Sequence, residues 1–388
     1  MSLTTFEKAQ AIQDYVVALR RDFHRHPELS YHENRTSRIV REELEKLGIE
    51  VQPVGETGLI GYIRGAQPGK TVALRADMDA LPVTEQSGVD YTSENSGVMH
   101  ACGHDSHTSM LLGAAKLLSE MKDTLKGTVK LVFQPAEELG TGSRFMIQGG
   151  ALEGIDAIVG MHVSADFPRG KVVVKDGALM ASGDQFKIEI IGKQSHGSAP
   201  WQGVDANVCA AAILQGFQTI VSRTNDARSP IVLNTGTIRA GDRFNITSGK
   251  AVLEGCNRTF SQEIREKLPV WMENMVKGYC HAYGCEYTFD YTYVCAVTDN
   301  DPAVTEKVRK SVVEALGEDC IQPIGLQMGS EDFSYYQMEA PGTFLFLGVG
   351  NPEKGCTYSL HSDRFKLDED AFPYGVTCYV QSALAVLG

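Results

Sequence analysis

The stretch Thr71-Val-Ala-Leu-Arg-Ala-Asp-Met-Asp79 carries the pattern that decides the fold, an apolar run at residues 71–74 that ends in charged residues. Similar apolar runs, each bounded by glycine, proline or polar residues, occupy residues 128–133, 157–161 and 343–349. Short continuous apolar runs are typical of strands that are covered on both faces of a sheet. The pattern therefore predicts buried strands with polar side chains at their carboxyl ends.

Helical patterns alternate with these strands. Amphipathic helices are predicted at about residues 5–26 and 33–47, ahead of the first strands, and a further helix at 109–120. Strands that alternate with helices indicate an α/β architecture, here with a mixed, mostly parallel sheet. In open sheets of this kind, functional sites form outside the carboxyl ends of the strands.

Residues 185–293 follow a different order. A strand at 186–191 precedes a helix at 206–221, and then come two strands, a helix and a strand at residues 231–238, 251–257, 262–282 and 287–293. This β-α-β-β-α-β order is typical of the ferredoxin-like unit. We therefore predict one discontinuous α/β domain, residues 1–181 and 296–388, with a satellite domain inserted at 182–295.

Composition excludes several classes of protein. The 388 residues include 36 Lys and Arg against 49 Asp and Glu, which gives a net charge of −13. An acidic chain is a poor partner for nucleic acid or an anionic membrane surface. No apolar stretch has the length of a membrane-spanning helix, and residues 1–14 lack the pattern of a secretory signal, so we expect a cytoplasmic protein. Its nine cysteines are then expected to be reduced thiols.

A dense cluster of metal-binding residue types lies in His100-Ala-Cys-Gly-His-Asp-Ser-His107. Thiolate and imidazole are good ligands for zinc and similar metals. Residues two apart cannot share a helix face, so Cys102 and His104 are predicted to project from a loop just before the helix at 109–120. Gly103 permits the tight backbone that this needs. The alternative is an ordinary polar loop that caps the helix.

Two adjacent glutamates, Glu137 and Glu138, follow the strand predicted at 128–133. Such pairs usually form a solvated turn or the start of a helix. The alternative is a division of labour, in which one carboxylate binds a metal and its neighbour takes a proton from a water molecule. His162 and His361 also follow predicted strands, although a single histidine is more often structural than a ligand.

These residues give the chain a resemblance to the metal-dependent aminoacylase and carboxypeptidase superfamily. It is most similar to the amidohydrolase branch with hippurate hydrolases, N-acyl-L-amino acid amidohydrolases and indoleacetyl-amino-acid hydrolases. The resemblance runs from about residue 15 to the C-terminus, with six motifs in order. They are Arg21-Asp-Phe-His-Arg-His-Pro-Glu-Leu29, Arg75-Ala-Asp-Met-Asp-Ala-Leu-Pro82, His100-Ala-Cys-Gly-His-Asp105, Gln134-Pro-Ala-Glu-Glu138, Gly160-Met-His162 and Gly329-Ser-Glu-Asp-Phe333.

The resemblance implies a site for two divalent metal ions that share Cys102 as a ligand. The full ligand set that it implies is Cys102, His104, Glu138, His162 and His361. A thiolate ligand favours zinc, while manganese, cobalt and nickel are also compatible. Related branches have a His-X-Asp motif where this chain has Arg75-Ala-Asp77. Because arginine cannot ligate a metal, the resemblance leaves Asp77 to orient the ligands.

The resemblance also implies that Glu137 is the general base of an amide hydrolase. A metal-bound water would cleave an N-acyl-L-amino acid, such as a hippurate-like or N-acetyl compound, into a carboxylic acid and a free amino acid. A metallo-dipeptidase or carboxypeptidase that cuts a peptide bond is the alternative among hydrolases. A non-catalytic metal-binding protein of the same fold is the alternative outside them, and the intact pair Glu137 and Glu138 argues against it.

The resemblance also implies that the satellite domain forms the contact of a homodimer. His196 matches a histidine that reaches the substrate oxyanion, often across the dimer, although many relatives have Gly-Gly-His-Ala where this chain has Gln194-Ser-His-Gly197. Asn245 and Arg258 match positions associated with the substrate carboxylate, which a guanidinium can bind through two hydrogen bonds. Without the resemblance, it is equally possible that Asn245 is an ordinary turn residue and that Arg258 is a solvated charge on a strand.

Overall fold

A computed structural model describes residues 3–388 of the chain. Its α-helices are α1 Thr5–Ala11, α2 Gln13–Arg25, α3 Asn34–Lys46, α4 His104–Glu120, α5 Gly142–Gln148, α6 Ala206–Thr219, α7 Gln262–Tyr283, α8 Pro302–Leu316, α9 Ser334–Glu339 and α10 Phe372–Leu387. Its strands are β1 Glu50–Val54, β2 Gly58–Arg64, β3 Gln67–Asp77, β4 Lys126–Gln134, β5 Ala157–Pro168, β6 Val172–Val173, β7 Gly177–Met180, β8 Gly183–Ile191, β9 Ser195–His196, β10 Ile231–Ala240, β11 Ile246–Thr247, β12 Lys250–Thr259, β13 Glu286–Cys295, β14 Thr298–Asn300 and β15 Gly342–Gly350. Within the described residues, every helix is too short or too polar to cross a lipid bilayer.

The larger of two compact units contains the chain up to Gly177 and the segments Asp299–Gly325 and Asp332–Gly388. Its seven-stranded sheet has the order β1-β2-β4-β3-β5-β15-β6. The neighbouring strands β4, β3, β5 and β15 are parallel, and the remaining strands are antiparallel to their neighbours. This topology confirms the predicted α/β fold with a mixed, mostly parallel sheet.

Burial on both faces explains the sequence of the central strands. Every residue of β15 is buried, as is expected of a parallel strand that is covered on both sides. Helix α4 is buried continuously over residues 104–115 and packs against α2 and α10. The N-terminus of α4 is therefore held inside the core, and the residues at its start have little freedom to move.

The smaller unit contains Ala178–Thr298 and Leu326–Glu331. Its antiparallel sheet has the order β10-β12-β8-β13, and helices α6 and α7 pack against each other and against β12. The elements follow one another as β8-α6-β10-β12-α7-β13, which confirms the predicted ferredoxin-like order. Its core is formed by alternate residues of β8, Phe186, Ile188 and Ile190, together with the apolar faces of both helices. The domain boundaries at 182 and 295 stay a prediction.

Several predicted boundaries are wrong, and one of them is the strand predicted at 71–74, which is the longer β3 Gln67–Asp77. The helix predicted over 5–26 is the pair α1 and α2, because the backbone at Ile12 leaves the helical region at φ −106° and ψ 10°. The helix predicted to begin at 109 already begins at His104. The strand predicted at 157–161 continues to Pro168, because β15 pairs with it along that length, so His162 lies within the strand.

The buried ion pair between Asp184 of β8 and Arg265 of α7 ties the sheet of the smaller unit to its helix. Arg265 donates to both carboxylate oxygens at 2.8 Å, and both side chains are almost inaccessible. Removal of one partner leaves a buried charge uncompensated, which costs about 3–5 kcal/mol. We expect Asp184→Ala to lower the free energy of unfolding by this amount, measured by chemical denaturation.

The exposed ion pair between Asp226 and Arg228 provides the control. Both of these side chains are more than half exposed, so water screens their attraction. Asp226→Ala should therefore unfold at the same denaturant concentration as the wild-type protein. An equally small effect of Asp184→Ala would show that the buried pair does not stabilise the smaller unit.

Candidate metal centre

The candidate site lies in the larger unit, at the carboxyl ends of β3 and β4 and beside β5. Strand β3 ends at Asp77 and β4 at Gln134, and these two residues are partners in the parallel register. His162 lies on β5, the neighbour of β3 on its other side. Because parallel strands deliver their following residues to one edge, motifs that are distant in sequence meet there.

Cys102 lies at the centre of the cluster. Its Sγ is 3.3 Å from Nε2 of His162 and 3.3 Å from Nε2 of His361, and the thiol is buried. Burial, and the nearby carboxylates of Glu138 and Glu137, raise the pKa of this thiol well above its ordinary value. A thiolate at this position is therefore stable only beside a positive charge.

His104 is the first residue of α4, and the backbone before it depends on a glycine. Gly103 has φ 89°, in the left-handed region, and serves as the N-cap of the helix. A Cβ atom at this position would lie 2.6 Å from Cγ2 of Val163. Both the close approach and the positive φ require glycine at this position. The backbone that results brings Cys102 and His104 into one group of ligand atoms.

Hydrogen bonds orient both imidazoles toward one space. Nδ1 of His162 donates to the carbonyl oxygen of Val163 at 2.7 Å, and Nδ1 of His104 donates to the carbonyl oxygen of Asp79 at 2.9 Å. When these rings are neutral, the Nε2 atoms carry the free lone pairs. Nε2 of His104 is buried and has no hydrogen-bond partner among the described residues.

Three groups of ligand atoms overlap at this point, each with its atoms within 4.8 Å of one another. Cys102 belongs to two of them, His104 also belongs to two, and so does Glu138. The groups are Cys102 with His104 and His162, Cys102 with Glu138 and His361, and His104 with Glu137 and Glu138. The structure thus brings all five predicted ligands and the predicted base together.

His107 also forms a group with Asp77 and His104, with ligand atoms within 4.8 Å of one another, but both of its ring nitrogens already make hydrogen bonds. Nδ1 donates to Asp77 at 2.6 Å, and Nε2 accepts the backbone N–H of Val163 at 2.9 Å. His107 therefore supports the site and has no lone pair for a metal. His100 is also buried, but neither of its ring nitrogens has a hydrogen-bond partner among the described residues.

The residues present fit divalent cations. Thiolate, imidazole and carboxylate are the donor set that zinc and similar borderline metals prefer. The unpartnered Nε2 of His104 faces this set, with the nearest oxygens of Glu138 and Glu137 at 3.9 and 4.0 Å. Although burial opposes it, the carboxylates of Asp77 and Asp79 raise the pKa of His104 to about 10. The surroundings thus favour positive charge at this ring.

Glu137 and Glu138 lie in a turn immediately after β4, and Asp79 holds this turn. Oδ1 of Asp79 accepts the backbone N–H of Glu137, and Oδ2 accepts that of Glu138, both at 3.1 Å. Oδ1 also lies 3.2 Å from Nδ1 of His104, and Oδ2 accepts the hydroxyl of Ser30 at 2.6 Å. One buried carboxylate therefore fixes both the predicted base and one predicted ligand.

The prediction from sequence contains no role for Asp79. The available signal was the spacing of Asp77 and Asp79, because residues two apart on an extended chain point to the same side. Spacing alone does not reveal that the second carboxylate binds amides of a turn that lies 58 and 59 residues further along the chain.

Asp77 is held from two sides. Its Oδ2 accepts Nη1 of Arg75 at 2.6 Å, and its Oδ1 accepts His107. Burial opposes ionisation of Asp77, but the Arg75 guanidinium and the neighbouring imidazoles keep its pKa well below the ordinary value. Oδ2 lies 3.8 Å from Nε2 of His104. The position is compatible with the predicted orienting role, which stays a prediction.

The predicted catalytic residue His196 and the predicted substrate-binding residues Asn245 and Arg258 lie in the smaller unit. His196 is exposed on β9, and the neighbouring N–H of Gly197 donates to the carbonyl oxygen of Asn245 at 2.8 Å. The structure therefore brings His196 and Asn245 together. Arg258 lies on β12, where its Nη1 donates to Oγ of Ser330 at 2.6 Å. The roles of these three residues stay predictions.

The sequence profile described as Peptidase family M20/M25/M40 matches residues 73–385. The chain belongs to this peptidase family. Among the relatives of this M20 protein, thermostable carboxypeptidase 2 of Saccharolobus solfataricus is 42% identical, with 96% of this chain and 95% of the relative aligned. N-acetylcysteine deacetylase of Bacillus subtilis is 36% identical, with 97% and 98% aligned.

A solved structure supports the same assignment. It is described as a dinuclear metal binding peptidase from the M20 family, from Bacillus subtilis, and it superposes with a TM-score of 0.84 at 35% identity. The match covers 97% of this chain and 99% of that chain. Family membership and relatives of this kind establish that the M20 protein is a hydrolytic enzyme.

Loss of the Asp79 carboxylate tests whether this residue positions the metal ligands. Asp79→Ala removes the carboxylate that accepts both amides of the glutamate turn, and it leaves His104 only the backbone carbonyl oxygen at position 79. We expect metal affinity to fall by about 10–100-fold, as is typical when a group that orients the ligands is lost. Metal content after dialysis against a metal buffer, determined by elemental analysis, measures this change.

Asp156→Ala is the matched control. Asp156 also accepts a backbone N–H, that of Thr71 at 2.8 Å, but in the amino-terminal half of β3. Its loss should leave the metal content unchanged. Equal metal contents in Asp79→Ala and the wild-type enzyme would contradict the role of Asp79.

Proposed function

We propose that this M20 enzyme hydrolyses the amide bond of N-acyl-L-amino acids with two divalent cations. The observation that carries the proposal is the thiol of Cys102, which belongs to two ligand groups and lies 3.3 Å from two imidazole nitrogens. The residues proposed to hold the cations are Cys102, His104, Glu138, His162 and His361. Bound cations of this type lower the pKa of a water molecule and polarise a carbonyl group.

In the proposed mechanism Glu137 moves the proton. Its side chain is about 10% exposed, so it faces the site while most of the carboxylate is shielded from solvent. Asp79 holds the backbone of Glu137, and Oε1 of its side chain accepts the backbone N–H of Asp332 at 3.4 Å. Glu137 accepts a proton from the attacking water and returns it to the leaving amine.

The proposed substrate carries a free carboxylate beside the scissile amide. The name of the Bacillus subtilis relative, N-acetylcysteine deacetylase, describes a reaction of this class. We propose that Arg258 and Asn245 bind the carboxylate and that His196 stabilises the oxyanion, because a guanidinium and an imidazole are suited to these charges. The proposal includes a satellite domain at 182–295 that forms a homodimer.

A carboxypeptidase is the second candidate. The observation that favours it is the name of the 42% identical relative, thermostable carboxypeptidase 2. Both reactions release an amino acid with a free carboxylate, and they differ only in the group on the acyl side of the bond. A panel of N-acetyl and N-benzoyl amino acids, dipeptides and N-blocked peptides, assayed with the metal-loaded enzyme, separates the two candidates.

Glu137→Gln tests the general base. The substitution keeps the size of the side chain and removes its ability to accept a proton. We expect it to retain the wild-type metal content and to lose at least about 100-fold in kcat on the best substrate of the panel. Elemental analysis and steady-state kinetics provide the two measurements, and a variant that turns over at the wild-type rate would refute the assignment.

Cys102→Ala tests the shared ligand. Because the thiol belongs to two ligand groups, its loss should weaken both cation sites and lower the metal content below one ion per chain. Cys356→Ala removes another buried thiol of the larger unit and serves as the control. Two tightly bound ions per chain in Cys102→Ala would exclude a bridging thiolate.

A further inference from the structure

Three residues other than glycine have a left-handed backbone within residues 3–388. They are Tyr31, Ala136 and His361, with φ of 63°, 53° and 66°. Tyr31 and Ala136 donate their backbone N–H groups to the same atom, Oε1 of Glu33, at 3.0 and 2.9 Å. A residue with a Cβ keeps this conformation only where its surroundings fix it. A single carboxyl oxygen therefore binds both strained segments.

Stabilisation of helix α3 does not explain this arrangement. Glu33 precedes α3, but its side chain makes no capping hydrogen bond to that helix. The backbone N–H groups of Arg35 and Thr36, at the start of α3, donate instead to the carboxylate of Glu28, at 2.9 and 2.8 Å. Glu33 is thus available to the turn after β4, and it is completely buried there.

The carboxyl of Glu33 is costly to bury. Its Oε2 has no hydrogen-bond partner among the described residues, and burial, with Asp79 nearby, raises its pKa to about 7. A buried polar atom without a partner destabilises the folded protein, so its presence calls for an explanation elsewhere in the same group. The contacts supply this explanation, because Oε1 of the same carboxyl accepts the backbone N–H groups of Tyr31 and Ala136.

Ala136 is the residue immediately before Glu137 and Glu138. Its N–H is bound by Glu33, and its carbonyl oxygen accepts the N–H of Gly142 at 3.1 Å, so the residue is held at both ends. The left-handed backbone at Ala136 sets the direction in which the next two residues leave β4. Asp79 then binds the amides of those two residues.

We propose that Glu33 is a positioning residue that orients Glu137 and Glu138 through the amide of Ala136. The inference rests on the proposed function, because it assumes that Glu137 is the base and Glu138 a metal ligand. Loss of Oε1 frees the Ala136 amide and lets the strained backbone relax. The carboxylates of the turn then leave the geometry that the reaction requires.

Glu33→Ala is the first test. We expect kcat at saturating metal to fall by about 100-fold, the effect of a displacement of about 1 Å, while KM changes little. Hydrogen exchange of the backbone amides of residues 136–140, measured by mass spectrometry, should accelerate. Exchange does not depend on catalysis, so it reports on the turn even in the absence of substrate.

Two further variants control for a general loss of stability. Glu33→Gln keeps an acceptor at Oε1 and should retain most of the kcat and the slow amide exchange. Glu28→Ala removes a carboxylate that binds the start of α3 in the same loop. It should lower the melting temperature and leave kcat unchanged.

The proposal is overturned if Glu33→Ala shows wild-type kcat, or if its kcat falls without faster exchange at residues 136–140. An equal loss of kcat in Glu28→Ala would overturn it too. If Glu33→Ala does not fold, Glu33→Asp replaces it, because the shorter side chain cannot reach both amides. Amide exchange at the wild-type rate in Glu33→Asp would then refute the proposal. A failure of the proposed function is distinct, since the wild-type enzyme would then cleave no substrate of the panel.

Discussion

The carboxylate of Asp79 connects parts of the chain that are far apart in sequence. It follows β3, accepts two amides of the turn after β4, and receives hydrogen bonds from His104 at the start of α4 and from Ser30. Although burial opposes ionisation, the hydrogen bond from His104 keeps the pKa of Asp79 below its ordinary value. A charged acceptor with four donors has a fixed orientation, and each donor is fixed with it.

The ends of β3 and β4 carry a network of buried charges. Arg75 donates to Asp77 at 2.6 Å, to Asp332 at 3.0 Å and to Gln134 at 2.8 Å, and all four side chains are inaccessible to solvent. Buried charges are tolerated only when their partners are well placed, so the network leaves the strand ends few alternative arrangements. Because these strand ends are held in place, the predicted ligands that follow them stay close to one another.

The sequence pattern was sufficient for the elements with the strongest periodicity. The parallel strands and the β-α-β-β-α-β order follow from local apolar runs. Residue types alone indicated a metal-binding stretch at residues 100–107, while the other ligands came from the family resemblance. The start of α4 was missed because a left-handed Gly103 acts as its cap, which no propensity reports. Asp79 and Glu33 were missed because their partners are backbone amides, which leave no trace in the side-chain sequence.

The position of β15 has a consequence for the order in which the protein is made. This strand lies inside the sheet, between β5 and β6, yet it follows the whole of Ala178–Thr298 in the chain. During synthesis, β3 is already present when β5 emerges, but its other neighbour, β15, follows only after more than a hundred further residues have been added. Such non-local pairing is slow and leaves an apolar strand edge open. In a ribosome-bound chain that ends before β15, one apolar edge of β5 therefore has no strand to pair with, and an edge of this kind is open to pairing with other chains.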